Sequence, residues 1–502
     1  MKKIFVLSII MVGFVFNSCV DLEQSPYSSL TPENFFKSET DANSAIMATY
    51  GAMPSDNDTF NQFSEVIHSQ GTDDSEWGNG RNTSNADKNE FDKFLYTPES
   101  NLIYRMWRGY YIVINVCNYA IDNITAMSDG VISERKKRQF IGEAKFIRAY
   151  LYLNMVRYWG GVPLQVNQTT SLEGLEVSRN TVEEIYELII SDLLYAEENL
   201  PTVKEYKAVD LGRATKGAAS GMLARVYLQR EEWDKVIAQA DKVIQSGHYS
   251  LNSQYVDNFN LTKENGQESL FEIQYLAGSG NPGSIYSGFF RPPFVNINGW
   301  TGYGDNPVTK DLWDAYGANE DGTCDDTRRD VSVRFYTREE YPNMASTILH
   351  PYYCNKYLDF TPESERGSNG NNQPVMRYSD ILLMKAEALG RQNTGNPEAY
   401  NYLNMVRRRA YGYPINEPSP CDVAPVGSLG EFIDVILLER RLELAFEANR
   451  WFDLVRTKKL KEAMMAQNPT IGALVEEKHY RLPIPQIERD ANRMLEQQDL
   501  WK

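Results

Sequence analysis

Residues 102–126, LIYRMWRGYYIVINVCNYAIDNITA, return to an apolar side chain every third or fourth position along their whole length. An amphipathic helix has that rhythm, whereas a half-buried strand alternates every second residue. The same period runs through 134–159 and 181–199. In 214–246 it becomes more specific. Leu223, Ala224, Tyr227, Trp233, Val236, Ala240 and Val243 follow the spacing of a tetratricopeptide unit, where small and bulky residues alternate so that two antiparallel helices pack closely. A valine at an alanine position makes that match partial. A second pair is predicted from Ile381 to Ala410, turning at Gly395-Asn396-Pro397, and 102–126 with 134–159 forms another. Thr31-Pro32-Glu33-Asn34 opens an earlier helix, with Thr31 as N-cap and Pro32 at the first helical position. The expected fold is mainly α, a tetratricopeptide-like helix-turn-helix scaffold. Long insertions separate the units, so it is not a simple solenoid.

The insertions differ in texture. Residues 69–101 are rich in Gly, Asn, Asp and Ser around a lone Trp77. Residues 278–307 set six aromatics (Tyr286, Phe289, Phe290, Phe294, Trp300 and Tyr303) in a Gly/Pro-rich loop. A long irregular loop in a compact domain is functional or disordered, and aromatic content argues against disorder. Residues 361–374 read as a polar linker.

The start of the chain has a different purpose. Lys2 and Lys3 precede an apolar run from Ile4 to Phe16. Thirteen helical residues rise roughly 20 Å, short of a hydrocarbon core of about 30 Å, so this is a signal peptide rather than a span. Asn17-Ser18-Cys19 at its end resembles a bacterial lipobox, with Phe16 where leucine is usual. Cleavage there leaves Cys19 as an acylated N-terminus; an ordinary secretory signal with a stray cysteine is the other reading. Residues 1–18 are thus the signal, 19–30 the lipidated tether, and 31–502 a single domain with ligand-binding insertions near 69–101 and 278–307. No later stretch approaches 18 apolar residues, so lipid is the expected membrane attachment. Cys117, Cys324, Cys354 and Cys421 are too scattered for a disulfide framework, though Cys324 and Cys354 could pair.

The formal net charge is −17, from 51 Lys+Arg against 68 Asp+Glu, which disfavours a nucleic-acid partner. No G-x-S-x-G, H-E-x-x-H or phosphate-loop motif occurs. His68, His248, His350 and His479 have no ligand spacing. Asp73-Asp74 and Asp325-Asp326 are carboxylate pairs of the kind a glycosidase uses, but 68 acids make such pairs common. Asp321, Asp325 and Asp326 with Gly322 could bind Ca²⁺, without EF-hand spacing. Neither a catalytic residue, a metal site nor a cofactor is predicted.

Five blocks carry a family resemblance: GEAKFIRAYLYLNMVRYWGGVPL (142–164), RYSDILLMKAEAL (377–389), AYNYLNMVRRRA (399–410), LLERRLELAFEANRWFDLVRTKKL (437–460) and HYRLPIPQIERDAN (479–492). In this order behind a lipobox, they resemble the SusD/RagB family of Bacteroidetes outer-membrane lipoproteins, over nearly the whole chain. Each also has its own physical reading. Glu439, Glu443 and Glu447 sit four apart with Arg440, Arg441 and Arg450 among them, a spacing that predicts ion pairs along one helix. Pro483-Ile484-Pro485 is expected to run as an extended strap. Trp107, Trp159, Trp313 and Trp451 fall in helical periodicity and belong to the core.

The resemblance implies a non-catalytic glycan receptor at the cell surface, lipid-anchored in the outer membrane. It would capture oligosaccharide and deliver it to a SusC-like TonB-dependent transporter. A peptide receptor of the RagB type is the alternative on the same scaffold, and a secreted glycoside hydrolase a remote one. The family builds its site from the early loop and the mid-chain insertion. Here those hold Asp73, Asp74, Trp77 and Arg81 on one side, and Trp300 and Tyr303 on the other, with Tyr286 and Phe290 as further candidates. Asp73 and Arg81 have the spacing of the Asp and Arg in the early loop of glycan-binding members. Flat aromatic faces suit the apolar C–H faces of sugars, and Asp and Arg suit their hydroxyls. Trp300 has a competing reading as a core plug ahead of Thr309–Tyr316.

Overall fold

The computed structural model describes residues 35–55, 69–77, 86–171, 174, 176–278, 280, 283–319, 322–348 and 351–502. Cys19, Thr31, His68, Arg81, Asp321 and His350 lie outside the described residues.

The predicted helices form, with end signals that explain their limits. Asn101–Ala126 and Glu134–Trp159 make an antiparallel pair, the second capped by the Ser133 hydroxyl. Val182–Asn199 begins at a capping box, in which Thr181 and Glu184 satisfy each other's backbone N–H. Lys216–Gln229 and Trp233–Gln245 are the tetratricopeptide-like pair, and Tyr378–Gln392 and Pro397–Ala410 the late pair, with Asn396 as N-cap. Each packs on the next, and Tyr378–Gln392 lies against Trp233–Gln245, so the early and late units form one stack. Gly221 lets this stack close. A side chain there would press on Met376 Sδ at 2.6 Å and Leu270 at 2.9 Å.

Strands Ser269–Ile273 and Gln373–Arg377 pair antiparallel, with Glu272 opposite Pro374. They are the neck of the mid-chain insertion: the chain leaves the stack along the first and re-enters along the second. Among the described residues, the insertion builds two small apolar cores of its own. One gathers Tyr286, Phe290, Val308, Leu312, Tyr316 and Tyr357 with Leu442 and Phe446. The other holds Phe294, Val295, Tyr336, Met344, Ile348 and Tyr353.

Three sequence expectations need correction. The 437–460 block is not one helix. Leu429–Leu444 ends at Ala445, Phe446 and Ala448 take positive φ of 61° and 60°, and a new helix runs Arg450–Arg456. Its charges therefore pair across the fold rather than along a helix. Glu443 meets Arg377, Arg409 and Arg328; Glu447 meets Lys356 and Arg377; Arg440 meets Asp380 and Asp453. Segment 361–374 is no solvated linker. Asn369, Asn371 and Asn372 are buried, and the Asn369 and Asn372 amides bond backbone and carboxylate groups inside the insertion. Cys324 and Cys354 do not pair, and none of the four described cysteines is in a disulfide.

The helix expected from Thr31 is described only from Glu39, running to Ser55. Pro483-Ile484-Pro485 is extended as expected, with Trp159 Nε1 donating to the Pro483 carbonyl at 3.0 Å. Trp107, Trp159 and Trp451 are core; Trp313 is half-buried under Arg329. Among the described residues no helix is long and apolar enough to cross a membrane.

Candidate functional site

The early loop and the insertion meet along a seam of backbone and side-chain bonds. Glu76 N–H donates to Pro307 O at 3.0 Å and Thr309 N–H to Asp74 O at 3.0 Å. Gln70 Nε2 donates to Asp305 O at 2.9 Å and to Asn306 Oδ1 at 2.5 Å. The two segments named from sequence as opposite sides of one site are thus neighbours in space.

What the seam buries overturns part of the candidate list. Asp73 and Asp74 point inward, 3% and 1% exposed. Arg450 holds the Asp73 carboxylate, and Arg441 donates to Asp74 Oδ1 at 2.7 Å and to Asp311 Oδ2 at 2.7 Å. Burial pushes the Asp73 carboxyl up, but Arg441 and Arg450 outweigh it and hold the group well below the usual carboxylate range. Both Asp73 oxygens accept from Arg450 and Asp74 Oδ1 from Arg441, so these aspartates lock the loop to the scaffold. Tyr286 and Phe290 are corrected likewise: at 2% and 1% exposure they stack on each other and on Tyr357 inside the insertion's first core. Asp326, half of the other carboxylate pair, is buried against Arg328 and is not free for Ca²⁺.

The remaining aromatics converge. Trp77 is half-buried, with the Lys88 ammonium 5.3 Å from its ring centre. The same ammonium stands 4.4 Å over Phe289 and 2.5 Å from Asp305 Oδ2. Phe289 meets Tyr303 at 5.4 Å, and Arg366 lies 4.5 Å over Tyr303. Arg366 then reaches the tip of the insertion, donating from Nε to Thr301 O at 2.7 Å. Beside Thr301 stands Trp300, on a two-residue hairpin pairing Asn296–Ile297 with Trp300–Thr301. Trp300 is 49% exposed, so it is not a core plug. Asn298 and Gly299, both with positive φ, make the tight turn that lifts it. Rings and cations therefore run in contact from Trp77 to Arg366, which bonds Thr301 beside the exposed Trp300 indole. Lys88 and Arg366 escaped the sequence reading, because a lysine in a polar helix and an arginine in a Gly/Ser-rich loop carry no local signature.

Comparison with known proteins now bears on this arrangement. A family model described as the SusD family matches residues 349–501, and one described as starch-binding, associating with the outer membrane, matches 22–228. The chain belongs to the SusD family. Among its SusD-like relatives, SusD-like protein P2 of Formosa agariphila is 29% identical across 98% of this chain and 99% of its own. A SusD-like protein of Bacteroides ovatus is 27% identical across 89% and 81%. Among solved SusD structures, a homologue from Bacteroides thetaiotaomicron superposes with TM-score 0.80 at 23% identity, over 93% of this chain and 98% of that one. A laminarin-binding SusD-like protein superposes at 0.75 with 26% identity, over 92% and 99%. Carbohydrate binding is what the starch-binding family model and the laminarin-binding relative are described by.

Proposed function

We propose that this SusD-family protein is a lipid-anchored receptor that captures oligosaccharide at the cell exterior and passes it to a SusC-like TonB-dependent transporter in the outer membrane. Acylated Cys19 is the anchor. The single observation that supports the ligand surface is the half-exposed indole of Trp300, raised on its hairpin beside the Tyr303–Arg366 pair. An exposed tryptophan held by a tight turn is a ready plate for the C–H face of a sugar, and neighbouring donors suit hydroxyls. Trp77 and Tyr303 are the further contacts, at the inner end of the same chain of rings. A relative of the same fold binds laminarin, which supports a polysaccharide as cargo.

Titration calorimetry of the soluble domain against a panel of oligosaccharides and a peptide mixture tests the reading. Glycan binding that Trp300→Ala weakens is the expected result. Peptide binding without glycan binding would move the assignment to the RagB-type alternative, and release of reducing sugar would overturn it.

A further inference from the structure

Most buried arginines in this protein find carboxylates, and Arg157 instead donates to the Leu153 carbonyl and the Asn154 amide oxygen. Arg328 meets Asp326, Glu439 and Glu443, Arg377 meets Glu268, Glu443 and Glu447, Arg409 meets Glu268 and Glu443, and Arg440 meets Asp380 and Asp453. Arg291 does not. It is 1% exposed, and among the described residues none of its three guanidinium nitrogens has a hydrogen-bond partner. A buried cation left unpaired costs several kcal/mol, so a fold with 17 excess negative charges has an unmet demand at this point.

The surroundings show what is missing. Arg291 sits directly beneath the Trp300 hairpin. Gly302 N–H donates to Pro292 O at 3.2 Å, and a Cβ at Gly302 would run into the Arg291 carbonyl. Arg366, bonded to the same hairpin, donates only to Thr301 and Gly302 oxygens and has no carboxylate partner among the described residues. Arg291 and Arg366 are close enough to repel, and burial together with Arg366 lowers the Arg291 pKa. The carboxylate within electrostatic reach is Asp359, which already accepts from Thr361 N–H, Thr361 Oγ1 and Gly370 N–H. The Tyr336 hydroxyl, on a side chain 1% exposed and within electrostatic reach of Arg291, also lacks a hydrogen-bond partner. Guanidinium is a donor throughout, and a phenol donates readily. Two buried donors without an acceptor, beside a second arginine without a counter-ion, call for an acceptor-rich anion. A water could take a hydrogen bond but would leave the charge unbalanced.

We propose that Arg291, with Tyr336 and Arg366, forms an anion subsite under the Trp300 plate, and that the glycan received here carries a carboxylate or sulfate ester that this subsite binds. The proposal rests on the glycan-receptor reading above. It makes Arg291 the residue that selects acidic over neutral sugars.

Binding to three probes tests it: a neutral β-glucan hexaose, an oligogalacturonide of similar length, and a sulfated galactan oligosaccharide. The wild-type protein should bind at least one acidic probe about tenfold or more tightly than the neutral one, with an affinity that falls as salt rises. Arg291→Met should abolish that preference while leaving the melting temperature unchanged or raised, since it removes an unpaired buried charge. Tyr336→Phe should weaken the acidic probe a few-fold at constant stability. If Arg291→Met does not fold, Arg291→Lys keeps the charge but loses the fork, and should lose affinity for the acidic probe alone. Equal binding of neutral and acidic probes, with Arg291→Met silent, overturns the anion subsite and leaves the receptor reading intact. Absence of binding to every glycan overturns both. Stabilisation by inorganic sulfate through Arg291, without acidic-glycan binding, assigns the site to a free anion and overturns the glycan substituent.

Discussion

Arg450 closes on Asp73 with both prongs of its guanidinium, Nε to Oδ1 at 2.8 Å and Nη2 to Oδ2 at 2.6 Å, between residues 377 positions apart. This pair ties the early loop to the helix that follows the break at Ala445. It explains why an aspartate with the sequence context of a sugar ligand is instead a structural lock. Asp73→Asn should therefore lower folding stability by about 3–5 kcal/mol, the cost of leaving a buried arginine partly uncompensated. Chemical denaturation measures that loss. Glycan affinity of the protein that remains folded should stay near wild type, and a large affinity loss at unchanged stability would return Asp73 to the ligand surface.

Trp300→Ala should behave in the opposite way. A plate over a sugar buries apolar surface, and losing on the order of 60 Å² of contact at about 25 cal/mol per Å² costs about 1.5 kcal/mol, near tenfold in affinity. The indole is 49% exposed, so the melting temperature should barely move. Calorimetric titration beside a thermal scan reads both quantities. A drop of many degrees would mean that the side chain is packed in solution.

His479 gives a pH dependence of defined sign. Burial, and then Lys478, hold its imidazole down to about 4, against about 6.5 in an unfolded chain. Between those values the unfolded chain binds more protons. The contribution to stability is complete above about pH 6.5 and is lost as pH falls towards 4. Glu264 and Asp92, pushed up by burial to about 8 and about 7, work in the other direction as acid is added. The measurable quantity is therefore a difference: the stability gap between wild type and His479→Gln should shrink as pH falls from 7 to 4. A constant gap would contradict a neutral, buried His479.

Cys19→Ala should release the protein from the membrane, because acyl chains on Cys19 are the anchor proposed here. Fractionation of cells lacking the transporter isolates this effect from docking. A mutant that still pellets with the outer membrane in such cells would overturn lipidation at this residue.

The repeating scaffold was legible in the chain because its signals are local. The period of 102–126 and 134–159, the Thr181–Glu184 capping box and the Asn396-Pro397 start all lie within a few residues of the structure they specify. The five family blocks were legible for the same reason, being short runs read in order. Local spacing failed where partners come from afar. Glu443 and Glu447 look like steps along one helix, yet two positive-φ residues break it and send them to Arg377, at the neck of the insertion. The aromatic loop shows the same division. Tyr286, Phe290 and Trp300 are alike in sequence, each a ring among glycines and prolines. Whether a ring faces solvent depends on what the rest of the chain packs against it. Tyr357 and Phe446, 71 and 156 positions beyond Tyr286 and Phe290, cover those two, while the turn at Asn298-Gly299 lifts Trp300 clear. Helical period and capping are properties of neighbouring residues. Burial, ion pairing and the orphaned charge of Arg291 are sums over the whole surface of contact, and only the tertiary structure evaluates those sums.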